Sequence, residues 1–183
     1  DFMLTLVKTP QEEQALLKRF AEIGIGTEDK FDITKFSPEI QKAIEEAEDP
    51  ERKAKYALVI AKIYEVHLRN FPQARKWALQ AAELRSNWGE PYMLIGRLYA
   101  SSGPLCGPGR GWDSQVVTWP AIDTWRKAKQ VDPSVAPEAN KLIAQYEKFM
   151  PNREDVFIRN LKAGQSFYVG CWIQRSTTIR TAD

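Results

Sequence analysis

The sequence predicts a mainly α fold: an α-solenoid of stacked helix pairs, interrupted by a long inserted loop and closed by a small C-terminal β-hairpin. Three observations predict it. A helical stripe of Ala57, Ile60, Ala61 and Tyr64 recurs as Tyr92, Ile95, Gly96 and Tyr99, and again as Ala139, Leu142, Ile143 and Tyr146. A second stripe, Ala74, Ala78, Ala81 and Leu84, recurs as Ala121, Trp125, Ala128 and Val131. A period of about 34 residues, with small residues at helix contacts and large ones between, belongs to helix pairs that bury their faces against neighbouring pairs. The third observation is a change of period near the C-terminus, where apolar residues begin to alternate.

Residues 1–48 read as an N-terminal helical segment. An apolar arm over residues 1–8 leads to Thr9, an N-cap with Pro10 at the first helical position and Glu12 completing a capping box. Leu16, Leu17, Phe20, Ile23 and Ile25 give a short amphipathic helix ended by Gly24-Ile25-Gly26. Phe31 and Phe36 fall in the loop that follows, and Ser37-Pro38-Glu39 opens a second helix through Ile40, Ala43 and Ile44.

Residues 49–150 hold the repeats. Asp49-Pro50-Glu51 caps the first repeat helix, and Gly96 is small enough to let a second helix pack close. A short turn at Ser101-Ser102-Gly103 should join the halves of the second repeat. Instead the chain runs from Gly103 through Pro104-Leu105-Cys106-Gly107-Pro108-Gly109-Arg110-Gly111-Trp112 to Pro120, an insertion of about thirteen residues against the repeat period. Loops of this length inside a helical pair are uncommon and tend to be either functional or disordered, and the aromatic content of this one argues for order. The expected arrangement is two full repeats and a third first-helix acting as a cap.

Residues 151–183 change character. Asn152 or Arg153 through Lys162 reads as one more helix, closed by Ala163-Gly164. Phe167, Val169, Cys171 and Ile173 then alternate with Ser166, Tyr168, Gly170, Trp172 and Gln174, and Thr177, Thr178, Ile179 and Arg180 favour strand, which predicts a hairpin turning at Gln174-Arg175-Ser176. A lone hairpin is marginal in water, so it needs a surface, and the aromatic inserted loop is the natural one.

Composition bounds function more by exclusion. The 183 residues are 43% hydrophobic and 27% charged with a net charge of +2, ordinary values for a globular chain and no basic field of the kind that nucleic acid or an anionic membrane demands. No apolar run reaches the roughly 20 residues that span a bilayer. The chain opens at Asp1 without a signal peptide, which reads as a mature form or a fragment. His67 is the single histidine and reads as a surface or packing residue, so neither a histidine metal cluster nor a Ser-His-Asp triad is supported. Gly107-Pro108-Gly109-Arg110-Gly111 lacks the Lys-Ser/Thr of a phosphate loop, and its proline removes a backbone donor. Neither catalysis, metal nor cofactor is expected.

Two candidate binding surfaces remain. By helical phase the first helices present Lys55, Lys62, Glu90, Met93 and Arg97 on one face, a mixture suited to a protein or acidic peptide ligand and equally to a solvated surface. In the inserted loop Trp112 and Trp119, edged by Arg110 and Asp113, are either an aromatic platform for a peptide, sugar or small molecule or anchors for the loop itself. Cys106 and Cys171 are open to two readings as well: unpaired thiols, or one disulfide pinning the loop to the tail and stabilising the fold by roughly 4 kcal/mol. The second implies an oxidising compartment, and neither cysteine belongs to a CxxC pair.

Asn87-Trp88-Gly89-Glu90-Pro91-Tyr92, the run Gly103 to Asp113, Trp119-Pro120-Ala121-Ile122-Asp123 and Val169-Gly170-Cys171-Trp172-Ile173 together resemble one family of tetratricopeptide-repeat proteins of Bacteroidetes-type bacteria, from about Lys53 to Ala182. That resemblance implies a tetratricopeptide-like solenoid, a periplasmic or otherwise exported protein and a non-enzymatic scaffolding role. Leu16 through Gly26 and Phe31 through Ile44 are similar to the tail of a different bacterial domain-of-unknown-function family (number twelve-fifty-four), also typically exported. The two resemblances meet near Glu48–Lys53, which points to a fusion or chimera, and in that case to a structural protein with no partner.

Overall fold

The protein, seen in a computed structural model, is described over residues 26–27, 30–31, 49–109 and 111–182. It is mainly helical, with a small two-stranded antiparallel sheet near the C-terminus. A two-residue strand pair, β1 (Gly26–Thr27) and β2 (Lys30–Phe31), pairs Gly26 with Phe31 and Thr27 with Lys30. This places Phe31 in a strand where the sequence predicts loop. The helices expected over residues 9–25 and 37–44 lie outside the described residues.

From residue 49 the helices start where their capping residues stand. Asp49 accepts from the Glu51 amide at 3.0 Å to open α1 (Pro50–Val66), with Pro50 at a position whose amide would be unpaired in any case. Asn70 accepts from the Gln73 amide at 3.2 Å to open α2 (Phe71–Leu84), after a turn in which Arg69 takes a left-handed conformation, φ 49°. His67 is the C-cap of α1, its amide donating to Ile63. After α3 (Glu90–Ala100) come two short helices, α4 (Gly103–Cys106) and α5 (Trp112–Gln115), then α6 (Thr118–Val131), a 3-10 turn at Pro133–Val135 and α7 (Ala136–Glu147). The tail contains α8 (Arg153–Phe157), β3 (Ser166–Val169) and β4 (Arg175–Thr178).

Each long helix packs on the next: α1 on α2, α2 on α3, α3 on α6 and α6 on α7, with β4 laid against α6. The small residues of the repeating stripes make this possible. Ala57, Ala61, Ala74, Ala78, Ala81, Ala121, Ala128 and Ala139 are all wholly buried. Gly96 faces the indole of Trp125 so closely that an added Cβ would overlap its Nε1 and Cδ1 atoms and lie 2.7 Å from Cε2. The same indole donates to the Met93 carbonyl at 3.2 Å, so its one polar atom is satisfied inside the core.

Asp132 joins two of these contacts. It ends α6 in an extended conformation, accepts from the Ser134 hydroxyl and amide to start the 3-10 turn, and accepts from the Gly89 amide at 3.0 Å across to the start of α3. These hydrogen bonds, the Ser134 hydroxyl first, hold its pKa below the ordinary aspartate value, with the Arg85 charge adding to them and burial opposing. Because the folded pKa lies below the unfolded one, this stabilisation is complete above the unfolded value and is lost as pH falls through the folded one. Asp132→Asn is therefore expected to cost about 1 kcal/mol at pH 6. In urea melts from pH 6 to 2 that gap should begin to narrow at about pH 4 and shrink further as pH falls through the lower folded value. A gap that stayed constant to pH 2 would show that the charge of Asp132 is not what stabilises the junction.

The structure corrects several boundaries. The insertion is not an open loop: α4 and α5 occupy it and pack together, and α6 begins at Thr118 rather than after Pro120. Pro120 fits because it lies in the first turn, where its missing amide hydrogen has no partner to lose. The helix expected to reach Lys162 stops at Phe157, because Asn160 turns into the left-handed region at φ 56°. Strand β3 ends at Val169, and the turn is 170–174 rather than 174–176, with left-handed Cys171 and Gln174 at φ 46° and 47°. Among the described residues, no helix is long and apolar enough to cross a membrane.

Candidate functional site

Helices α1, α3 and α7 meet at Arg97. On α1, Lys62 and Glu65 stand one turn apart; on α3, Glu90 and Arg97 stand two turns apart; on α7, Glu138 and Lys141 stand one turn apart. Arg97 ties the three helices together. Its guanidinium lies 3.9 Å from a carboxylate oxygen of Glu65 and 3.9 Å from one of Glu138. Both separations are ion-pair contacts longer than a hydrogen bond, and partly exposed pairs of this kind contribute little to stability. Arg97 thus bridges α1 and α7 while most of its donor capacity stays available to a further acceptor. Lys55 is exposed, and Lys62 and Glu90 are partly exposed on the same helices.

Met93 does not belong to this face. It is wholly buried, because α3 is enclosed by α2 and α6 and its backbone at this point receives the Trp125 indole.

The loop residues assemble differently from a platform. Trp119 has no exposed surface. Its ring meets Trp112 at 5.7 Å and Phe167 at 5.4 Å, both edge to face, and Trp112 meets Phe167 at 5.7 Å. Such triangles of offset rings stabilise beyond the area they bury. The Trp119 indole donates to the Arg180 carbonyl at 2.8 Å, and Arg180 returns a hydrogen bond to the Trp119 carbonyl at 2.8 Å and pairs with Asp123 at 2.7 Å. Trp112 is half-buried, with the Arg159 guanidinium 4.4 Å above its ring. Asp113 is exposed, and Arg110 lies outside the described residues.

The tail continues past the loop to the first helix pair. Cys106 and Cys171 lie at disulfide distance with Cα atoms 5.4 Å apart, which is compatible with an oxidising compartment. Trp172 enters beside Phe71 and Tyr99, donates to the buried Ser102 hydroxyl at 3.0 Å and carries Arg75 over its ring at 5.0 Å. Arg75 closes the arrangement by donating to the Ile173 carbonyl at 2.6 Å. The hairpin therefore rests on the inserted segment, α6, α3 and α2 in turn.

Helical phase points to Lys55, Lys62, Glu90 and Arg97, which stand at exposed or partly exposed positions. Sequence reasoning misses Glu65, Glu138 and Lys141, for which the same phase was a sufficient signal. It also misses Arg75, Asp123, Arg159 and Arg180, whose partners lie dozens of residues away and leave no local trace. No protein-family model, curated protein or solved structure matches the chain.

Proposed function

We propose that this chain is a non-catalytic protein–protein interaction module, a short tetratricopeptide-like solenoid that holds an extended peptide segment of an exported partner against its first-helix face. The observation that carries this reading is Arg97, placed between Glu65 and Glu138 so that helices α1, α3 and α7 offer one charged surface. An extended peptide presents carbonyls and carboxylates along its length, and a guanidinium with donors to spare suits either. Two repeats and a cap make a short surface, so a weak, micromolar-class complex is expected. Sugar capture by the inserted loop has less support, because Trp119 is buried and Arg159 covers Trp112.

The test is selection of displayed random peptides on the full chain, followed by calorimetry of the enriched sequences against variants. Arg97→Glu and Lys62→Glu should each weaken binding about ten-fold, roughly 1.4 kcal/mol, while Trp112→Ala leaves it within about two-fold. Peptides that bind Arg97→Glu as tightly as the wild type but fail with Trp112→Ala would overturn the proposal in favour of the loop.

A further inference from the structure

We propose that Trp172 is a positioning residue for the first-helix face: wedged between α2 and α3, it fixes α1 against α3 and so sets the shape of the surface that receives the peptide. Its effect on binding presupposes the peptide reading above, whereas the brace itself is a matter of geometry.

The long helices divide into two bodies. Helices α1 and α2 pack along each other, and the turn between them is pinned by the Asn70 amide on the Tyr64 carbonyl at 2.9 Å and the Leu68 amide on the Ile63 carbonyl at 3.3 Å. Helix α1 touches α3 only lightly, so its place on the face is passed on through α2. Arg97 spans the gap to Glu65 at 3.9 Å, but a partly exposed pair at that distance is too weak to hold two helices in position. The tail belongs to the other body, with α3, α6 and α7. Thr177 and Arg180 both donate to Asp123 on α6, and Cys171 is joined to Cys106 on α4, the helix next after α3.

Trp172 is where the second body reaches across to α2. Its ring meets Phe71, the first residue of α2, at 5.9 Å and Tyr99 of α3 at 5.6 Å, and its indole donates to the Ser102 hydroxyl at 3.0 Å. Arg75, one turn into α2, lies over the same ring at 5.0 Å and donates to the Ile173 carbonyl at 2.6 Å. Phe71, Tyr99 and Ser102 are all buried, so a ring lost from between them leaves space into which α2 can settle. Apart from Phe71 and Trp77, the buried side of α2 is alanine, which allows close approach but gives few interlocking side chains to resist sliding. The wedge also stands at the sensitive end of the face. Glu65 lies in the last turn of α1, just before the chain re-enters at Phe71, and Arg97 lies in the last turn of α3 beside Tyr99. A shift of Phe71 against Tyr99 therefore moves Glu65 and Lys62 relative to Arg97.

The experiment measures the brace first and binding second, on the oxidised full chain. Spin labels on p-acetylphenylalanine, introduced at exposed Lys55 of α1 and exposed Lys141 of α7, leave the native cysteines untouched, and pulsed dipolar spectroscopy reads the distance between the two bodies. Trp172→Ala should shift or broaden the distance distribution by about 2 Å or more. Arg75→Ala, which leaves the ring in place and carries the test if Trp172→Ala does not fold, should change it in the same direction by less. Trp172→Phe, which keeps a ring in the wedge, should stay close to the wild type, and so should Trp112→Ala, which loosens the tail away from α2. Peptides enriched on the wild-type chain should bind Trp172→Ala about three- to ten-fold more weakly. An unaltered distribution in Trp172→Ala and Arg75→Ala, or equal broadening in Trp112→Ala, would overturn the brace. A broadened distribution with undiminished affinity would overturn its coupling to the face and leave the peptide reading standing. If no peptide is enriched on the wild type, the peptide reading fails, and the distance alone still decides the brace.

Discussion

Trp119→Ala is expected to be among the most damaging single substitutions in the described chain, lowering stability by about 3–5 kcal/mol in urea or thermal unfolding. The ring is wholly buried, so its removal leaves a cavity that Trp112 and Phe167 have to line alone. The Arg180 carbonyl loses its indole donor at the same time, on the segment that also carries the Asp123 ion pair. Against a typical domain stability of about 5–15 kcal/mol such a loss is close to unfolding. Trp119→Phe separates the two effects: it keeps an edge-to-face ring but leaves the carbonyl unpaired, and should cost about 1–3 kcal/mol. Trp112→Ala, at a half-buried ring, should cost less than Trp119→Ala. A Trp119→Ala protein within 1 kcal/mol of the wild type would mean that the aromatic triangle is not what holds the tail to the insertion.

The contrast between Trp119 and Met93 shows where reading a sequence stops. The helix contacts were legible because close-packed helices need small residues where they touch, and Gly96 against Trp125 is the clearest case. Phase also placed Lys55, Lys62 and Arg97 on an accessible face. It failed for Met93 because α3 is buried on most of its circumference, with Pro91, Met93, Leu94, Ile95, Gly96, Leu98 and Tyr99 all inside, and a period cannot say how much of a helix is enclosed. Alternation over Phe167 to Ile173 announced a strand but ran past its end. Cys171 and Trp172 have long-range duties, one to Cys106 and one to Ser102, and those contacts turn the chain before the alternation is exhausted. The candidate platform became an anchor for the same reason: what covers Trp119 comes from Phe167 and Arg180, about fifty residues or more further along the chain.

Removal of the Cys106–Cys171 bridge is the second large effect, and the unfolded chain is where most of it acts. The two cysteines are separated by 65 residues, and closing a loop of that length restricts the denatured ensemble by about 4 kcal/mol in the chain-entropy account. The folded tail does not depend on the bridge alone. Arg75 still reaches the Ile173 carbonyl at 2.6 Å, Trp172 still reaches Ser102 at 3.0 Å, and Arg180 still pairs with Asp123 at 2.7 Å. The double variant Cys106→Ser, Cys171→Ser should therefore remain folded with its hairpin docked, while its urea midpoint drops by an amount equivalent to about 2–4 kcal/mol. Reduction of the wild type with a dithiol should give the same midpoint, and limited proteolysis under native conditions should not cut within residues 170–174. Rapid cleavage there in the reduced protein would show that the bridge holds the native tail in place. An unchanged midpoint would show that the denatured chain already keeps loop and tail together. Only the expected pair of results, a lower midpoint and a protected turn, puts the stabilisation in the denatured state and leaves the tail's position to Arg75, Trp172 and Arg180.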